Sequence, residues 1–177
     1  MDSLAGQLLV SSPTLFDPNF RRTVVLMAHH DDEGAMGVIL TRPTDLRVGD
    51  AHADLADLPA DEVVYSGGPV QPETLIVLIE FEEDDVDAAI VGSVSFLPPE
   101  LSTDDVRALR ARVFAGYAGW GAGQLEAELE EGSWIVVSAQ PDDVFAADPD
   151  ELWKTVLHRK GGKFTLIASM PFDPGLN

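Results

Sequence analysis

The densest group of side chains able to do chemistry is His29-His30-Asp31-Asp32-Glu33, five potential ligands or proton carriers in one turn. Imidazoles and carboxylates this close could hold a zinc ion or assist a hydrolysis. Adjacent histidines on a strand point to opposite faces, however, so the two cannot reach one ion from the same strand. A zinc site would need His30 and partners from elsewhere, and the simpler reading is a polar hairpin tip. His52 and His158 fall in helical contexts and stand apart. The chain has no cysteine, which excludes disulfides, thiolate metal sites and cysteine nucleophiles. Ser66 lies before Gly67-Gly68, but no Gly-x-Ser-x-Gly elbow surrounds it. With 31 acids in the chain, two carboxylates near one another are expected by chance and point to no reaction. The residues call for no metal and no cofactor.

The 15 glycines raise the question of a nucleotide loop. The richest stretch is Gly116-Tyr117-Ala118-Gly119-Trp120-Gly121-Ala122-Gly123, and it opens a helix. A dinucleotide fingerprint starting at Gly119 requires glycine where Gln124 stands, and Gly162-Lys163 continues into Phe164 rather than Ser or Thr. Neither phosphate motif is present. The segment Gly116–Glu126 is nevertheless the best candidate for a binding site. Its glycines leave backbone amides open to close approach, and it leads into a helix N-terminus. Tyr117 and Trp120 offer large rigid surfaces with polar tips, and Gln124 sits in the first turn of the helix. Arg42, at the end of a central hairpin, is the candidate cation of the same cleft, with His30 at its rim. The structural alternative is that the glycines only permit tight packing, with Trp120 in the core.

These residues need elements to hold them. Gln7–Ser12 reads as a first strand, closed by Pro13. Thr23–His30 and Met36–Thr41 form a hairpin through the turn Asp31–Gly34. Both faces of that hairpin are apolar, which predicts a central position covered on both sides. Further strands are expected at Val63–Ser66, Thr74–Phe81, Val91–Leu97, Val113–Tyr117, Trp134–Ala139 and Lys163–Met170. Ser102 or Thr103 caps a helix running to about Arg112, and Ala122–Glu131 forms another, ended by Gly132. Asp148, Pro149 and Glu151 open the clearest helix, with Leu152, Trp153, Val156 and Leu157 as its apolar stripe and Gly161 as its stop. A weaker helix spans Val48–Leu58. Glu80–Asp87 reads as an acidic surface loop. Strands outnumber helices without alternating with them, so the expected fold is α+β: one domain over residues 1–177, with a mixed sheet that could curl toward a barrel and three to four flanking helices.

Composition limits the partners. The 11 basic and 31 acidic residues leave a net charge of −20, which opposes the phosphate neutralisation that nucleic-acid binding relies on. The basic clusters Arg21-Arg22, Arg107/Arg110/Arg112 and His158-Arg159-Lys160 read as solvated faces. Direct nucleic-acid binding is therefore disfavoured. No apolar run approaches a membrane span, and the N-terminus lacks the pattern of a signal peptide, so a cytoplasmic protein without membrane contact is expected.

Several strings are familiar together: Gly6-Gln7-Leu8-Leu9-Val10; Asp17-Pro18-Asn19-Phe20-Arg21-Arg22-Thr23-Val24-Val25; His30 with Gly34-Ala35-Met36-Gly37; Gly67-Gly68-Pro69-Val70; and Gly116-Tyr117-Ala118-Gly119-Trp120 leading into Gly123-Gln124-Leu125-Glu126. In this order they resemble the YqgE/AlgH family of bacterial proteins, from about Gly6 to the C-terminus, more weakly between Phe81 and Val106. The resemblance implies a compact α+β fold with an unusual mixed sheet. By association with alginate production it also implies a role in transcriptional regulation. It carries no catalytic residues with it. The chain departs from the family pattern at Thr41-Arg42-Pro43, where Asn-Lys-Pro or Asn-Arg-Pro is usual, and at Ile79, where a histidine is common. The leading functional expectation is a non-enzymatic binding or regulatory protein that recognises a small molecule or a protein partner. The alternatives are a hydrolase or metal-assisted enzyme centred on His30 and nearby acids, and a DNA-binding regulator.

Overall fold

The computed structural model describes residues 2–15, 17–18, 20–82, 89–98 and 107–170. Its centre is the hairpin of β2 (Val24–Asp31) and β3 (Gly34–Ile39). The turn between them is tied by Asp31 Oδ1, which accepts the Glu33 amide at 2.8 Å. β1 (Gln7–Ser11) pairs antiparallel with β2, placing Leu8 opposite Leu26 and Val10 opposite Val24. β9 (Trp134–Ser138) borders β1. The other edge of β3 meets β8 (Ala108–Gly121), with Ala35 opposite Trp120 and Met36 opposite Gly119. The hairpin is thus central, as its two apolar faces require.

β8 is the spine of the sheet. Along its first half it pairs antiparallel with β6 (Val70–Phe81), whose end also carries β7 (Val94–Phe96). β5 (Val63–Ser66) runs parallel to β8 at Tyr65 and Ser66, and β4 (Pro43–Arg47) edges β5. The end of β5 wedges between β3 and β8. Gly67 donates its amide to Ala115 O at 2.8 Å, and its carbonyl accepts from Ile39 N at 2.8 Å. A Cβ on Gly67 would sit 2.3 Å from Gly116 O, so only glycine fits the wedge. Gly116 itself has φ +76, which bends β8 as it changes neighbours. The mixed sheet of nine described strands is open and does not close into a barrel.

Helices cover both faces. α1 (Val48–Ala51) and a 3-10 turn at Ala53–Asp57 lie against β5, β6 and β8, burying Val48 and Leu55 with Val64, Ile79 and Val113. α2 (Gln124–Glu130) buries Leu125 against Leu9, Val25 and Met27. α3 (Pro141–Val144) and α4 (Pro149–Lys160) close the opposite face, where Leu152, Trp153, Val156 and Leu157 pack on Leu8, Val10, Val24 and Leu26. α4 starts as its sequence dictates: Asp148 accepts the Glu151 amide, Pro149 occupies the first turn, and Gly161 at φ +78 ends it. Trp153 is buried and donates its indole N–H to Ser11 O at 2.9 Å.

Several expectations need correction. Lys163–Met170 is not a strand: Lys163–Ala168 forms α5. Gly161 and Gly162, at φ +78 and +60, turn the chain back so that Ala168 packs into the core beside α4. A run this short carries no periodicity that separates strand from helix. The helix expected to reach Arg112 does not: Ala108–Arg112 belongs to β8, and its proposed start at residues 101–106 lies outside the described residues. The helix formers Ala108, Leu109 and Arg110 are overridden by the free edge of β6, which pairs Glu80 with Arg110 and Leu78 with Arg112. Glu80 and Phe81 accordingly end a strand rather than begin a loop; residues 83–87 of that acidic run are outside the described residues. Val48–Leu58 splits into α1 and the 3-10 turn.

Within the basic clusters, Arg112 departs from the solvated face expected, while Arg107, His158, Arg159 and Lys160 are exposed. Arg112 is 2% exposed. It pairs with Asp61, donates to Val144 O and Ala146 O at 3.1 Å, and stacks on the Tyr65 ring at 4.4 Å. Arg159 grips the buried Asp143 through two hydrogen bonds of 2.8–2.9 Å. Arg110 bridges Glu80 and Asp142.

Candidate functional site

The alternation of β2, β3 and β8 builds a cleft where side chains are missing. Met36 lies opposite His29 on one side and opposite Gly119 on the other, so these three positions share a face. Gly119 contributes no side chain, and a Cβ there would lie 3.7 Å from Val70 Cγ2 and 3.8 Å from Tyr117 Cε2. Val70 and the Tyr117 ring therefore lean over a bare stretch of backbone. Around it, His29, Asp31, Glu33, Gly34 and Met36 complete a cleft of about 680 Å³. The walls are apolar and aromatic, while the mouth is acidic. His29 Nε2 bonds Asp31 Oδ2 at 2.7 Å, and both side chains are well exposed, at 63% and 45%. The Glu33 amide, and after it His29, hold the Asp31 carboxyl below its ordinary titration range.

His30 points the other way, as strand alternation demands, and its side chain is only 3% exposed. Its Nδ1 accepts the Leu4 amide at 3.0 Å. A backbone N–H can only donate, so Nε2 carries the proton and donates to Glu126 Oε1 at 2.7 Å. The hydrogen bond from His30 holds the Glu126 carboxyl below its ordinary value. Both ring nitrogens of His30 are thus engaged, and the residue ties the N-terminal segment and α2 to β2. It does not stand at the rim of the cleft; its neighbour His29 does.

The remaining candidates divide. Tyr117 lines the cleft with its ring. Trp120 belongs to it through the backbone only, because its ring lies across the sheet from Gly119 and is 5% exposed. There it packs against Phe20 and Trp134, and Glu128 Oε1 accepts from the indole N–H of Trp120 at 3.4 Å and of Trp134 at 3.3 Å. Gln124 is exposed and accepts the Gly121 amide through Oε1 at 3.0 Å, fixing the turn into α2. Arg42 lies elsewhere, in a separate cleft of about 240 Å³ with Arg22, Thr41 and the first turns of α4. It donates to the Arg21 carbonyl, and burial lowers its guanidinium pKa while Asp150 opposes that shift. Sequence reasoning missed His29, Asp31, Glu33, Met36 and Val70 as cleft residues. The signal for His29 was available, since a strand that buries His30 must expose His29.

No group of three His, Asp or Glu side chains among the described residues is arranged to hold a metal ion. No helix among them is long and apolar enough to cross a membrane.

The fold and cleft together define a class: an α+β domain whose open mixed sheet is organised on one long bent strand. The chain belongs to the AlgH-like family, whose model, DUF179, matches residues 8–165. It is 45% identical to a UPF0301 protein of Streptomyces coelicolor over 100% of this chain and 97% of that protein. A UPF0301 protein of Thermobifida fusca is 43% identical over 99% and 96%. Among solved structures, the AlgH protein from Pseudomonas aeruginosa is similar at a TM-score of 0.71 and 28% identity, covering 95% of this chain and 94% of that one. A protein from Corynebacterium diphtheriae shares the fold at a TM-score of 0.86 and 24% identity, over 93% and 91%.

Proposed function

We propose that this chain is a non-enzymatic binding protein that recognises a small molecule or a protein partner in the cleft over Gly119. The observation that carries the reading is the bare floor. Three strands converge on a position without a side chain, and the flanking Tyr117 and Val70 leave the space above it open. Concave, mostly apolar sites with a few polar groups at the edge are the usual form of a binding pocket. The enzymatic alternative finds less support. His30, on which that reading centres, has its Nδ1 lone pair occupied by the Leu4 amide. A regulatory role through direct DNA contact is opposed by the net charge of −20.

Gly119→Leu supplies the test. Gly119 has no positive φ, and its Cβ would make only ordinary contacts, so the variant should fold while filling the cleft. In an NMR screen of small-molecule and short-peptide mixtures, ligands should shift the Gly34 and Gly119 amides saturably. Those ligands should be lost in Gly119→Leu, with the melting temperature held near that of the parent. A screen with no saturable shift at these amides would refute the reading.

A further inference from the structure

We infer that the occupant of the cleft is an arginine side chain presented by a protein partner, its stem over Gly119 and its guanidinium among Asp31, Glu33 and the Tyr117 ring. The inference rests on the binding function proposed above. The charge argument comes first. The cleft is lined by two carboxylates and by no lysine or arginine. The molecule around it carries −20, a field that draws cations and repels anions. Asp31 spends one oxygen on His29 and the other on the Glu33 amide, whereas the Glu33 carboxylate makes no ion pair among the described residues. A cationic head would find an acceptor there.

Shape selects the rest. Met36, Val70 and the Tyr117 ring make an apolar channel suited to a hydrocarbon stem. The planar guanidinium can stack on an aromatic ring and still donate in its plane to carboxylates, which an ammonium cannot do. Enclosure argues for a protein source. Pockets for free small molecules bury most of the ligand, but here His29 and Asp31 at the mouth are themselves about half exposed or more. An occupant would stay open on one side, as a residue projecting from a partner surface does.

The experiment titrates the 177-residue chain with the peptide acetyl-Gly-Gly-Arg-Gly-Gly-amide. Its counterpart carries citrulline, which has the same shape without the charge. NMR follows the Gly34 and Gly119 amides and the His29 ring. The arginine peptide should give saturable shifts at these groups and bind roughly tenfold tighter than the citrulline peptide, about the value of one charge-assisted contact. Asp31→Asn with Glu33→Gln should bring the two peptides level, and Gly119→Leu should abolish both. Equal binding of the two peptides, with loss in Gly119→Leu, would overturn the arginine assignment and leave the binding reading standing. Arginine-dependent shifts that survive Gly119→Leu would mean diffuse attraction to an acidic surface and would also overturn it. So would the absence of saturable shifts with either peptide up to about 10 mM, where binding is worth less than about 4 kcal/mol.

Discussion

Neighbouring residues of one strand do opposite work in this molecule. His29 opens onto the cleft, while His30 closes onto Leu4 and Glu126. Glu126 supplies a pH prediction. Its carboxyl titrates below the ordinary 4.5 because of the bond from His30. The unfolded chain therefore takes up its proton first as pH falls. The stabilisation is fully present above about 4.5 and is lost as pH drops through the lower folded value. Stability measured by denaturant should decline across that window, and Glu126→Gln should flatten the decline. Arg112 makes a second prediction. Its removal in Arg112→Ala strands the carbonyls of Val144 and Ala146 and opens a cavity beside Tyr65. The expected loss is about 2–5 kcal/mol, read from urea unfolding, where a solvated arginine would cost almost nothing.

Elements show where propensity yields to partners. α4 is written in its own sequence, from the Asp148 cap to the Gly161 stop, and its apolar stripe meets the sheet as the spacing requires. Trp153→Ala should cost about 3–5 kcal/mol, because the substitution both empties a buried ring site and frees Ser11 O. A loss near zero in equilibrium unfolding would contradict that burial. α2 is held from outside: Gln124 caps the turn at Gly121, and His30 grips Glu126. His30→Ala should leave the sheet intact but speed hydrogen exchange at the Leu4 amide, which loses its acceptor.

At the scale of the whole molecule, β8 joins three groups of strands that do not otherwise pair: β9, β1, β2 and β3; β4 and β5; and β6 and β7. Cores on both of its ends share this strand, so a single calorimetric transition is expected. Two resolved transitions would show that the halves unfold separately. The charge of −20 belongs to this scale as well. At low salt, where electrostatic affinity is exaggerated, a gel shift with duplex DNA should be absent at sub-micromolar protein.

Local rules were enough for the sequence to determine the hairpin, the acidic balance, the capped helix α4 and the family resemblance. Each depends on neighbours along the chain: alternation, turn residues, cap spacing. The tertiary structure decided the rest. Whether Ala108–Arg112 would be helix depended on the distant edge of β6, and whether Lys163–Ala168 would be strand depended on the face of α4. The site was half legible for the same reason. Tyr117 and the glycine segment stood out by composition. That Trp120 turns into the core, that Arg42 sits beside α4, and that Met36 and Val70 gather over Gly119 followed only from the pairing of β3, β6 and β8, whereas strand alternation alone exposes His29 once His30 is buried. Strand register is a property of two segments at once, and shifting it by one residue exchanges the buried and open faces.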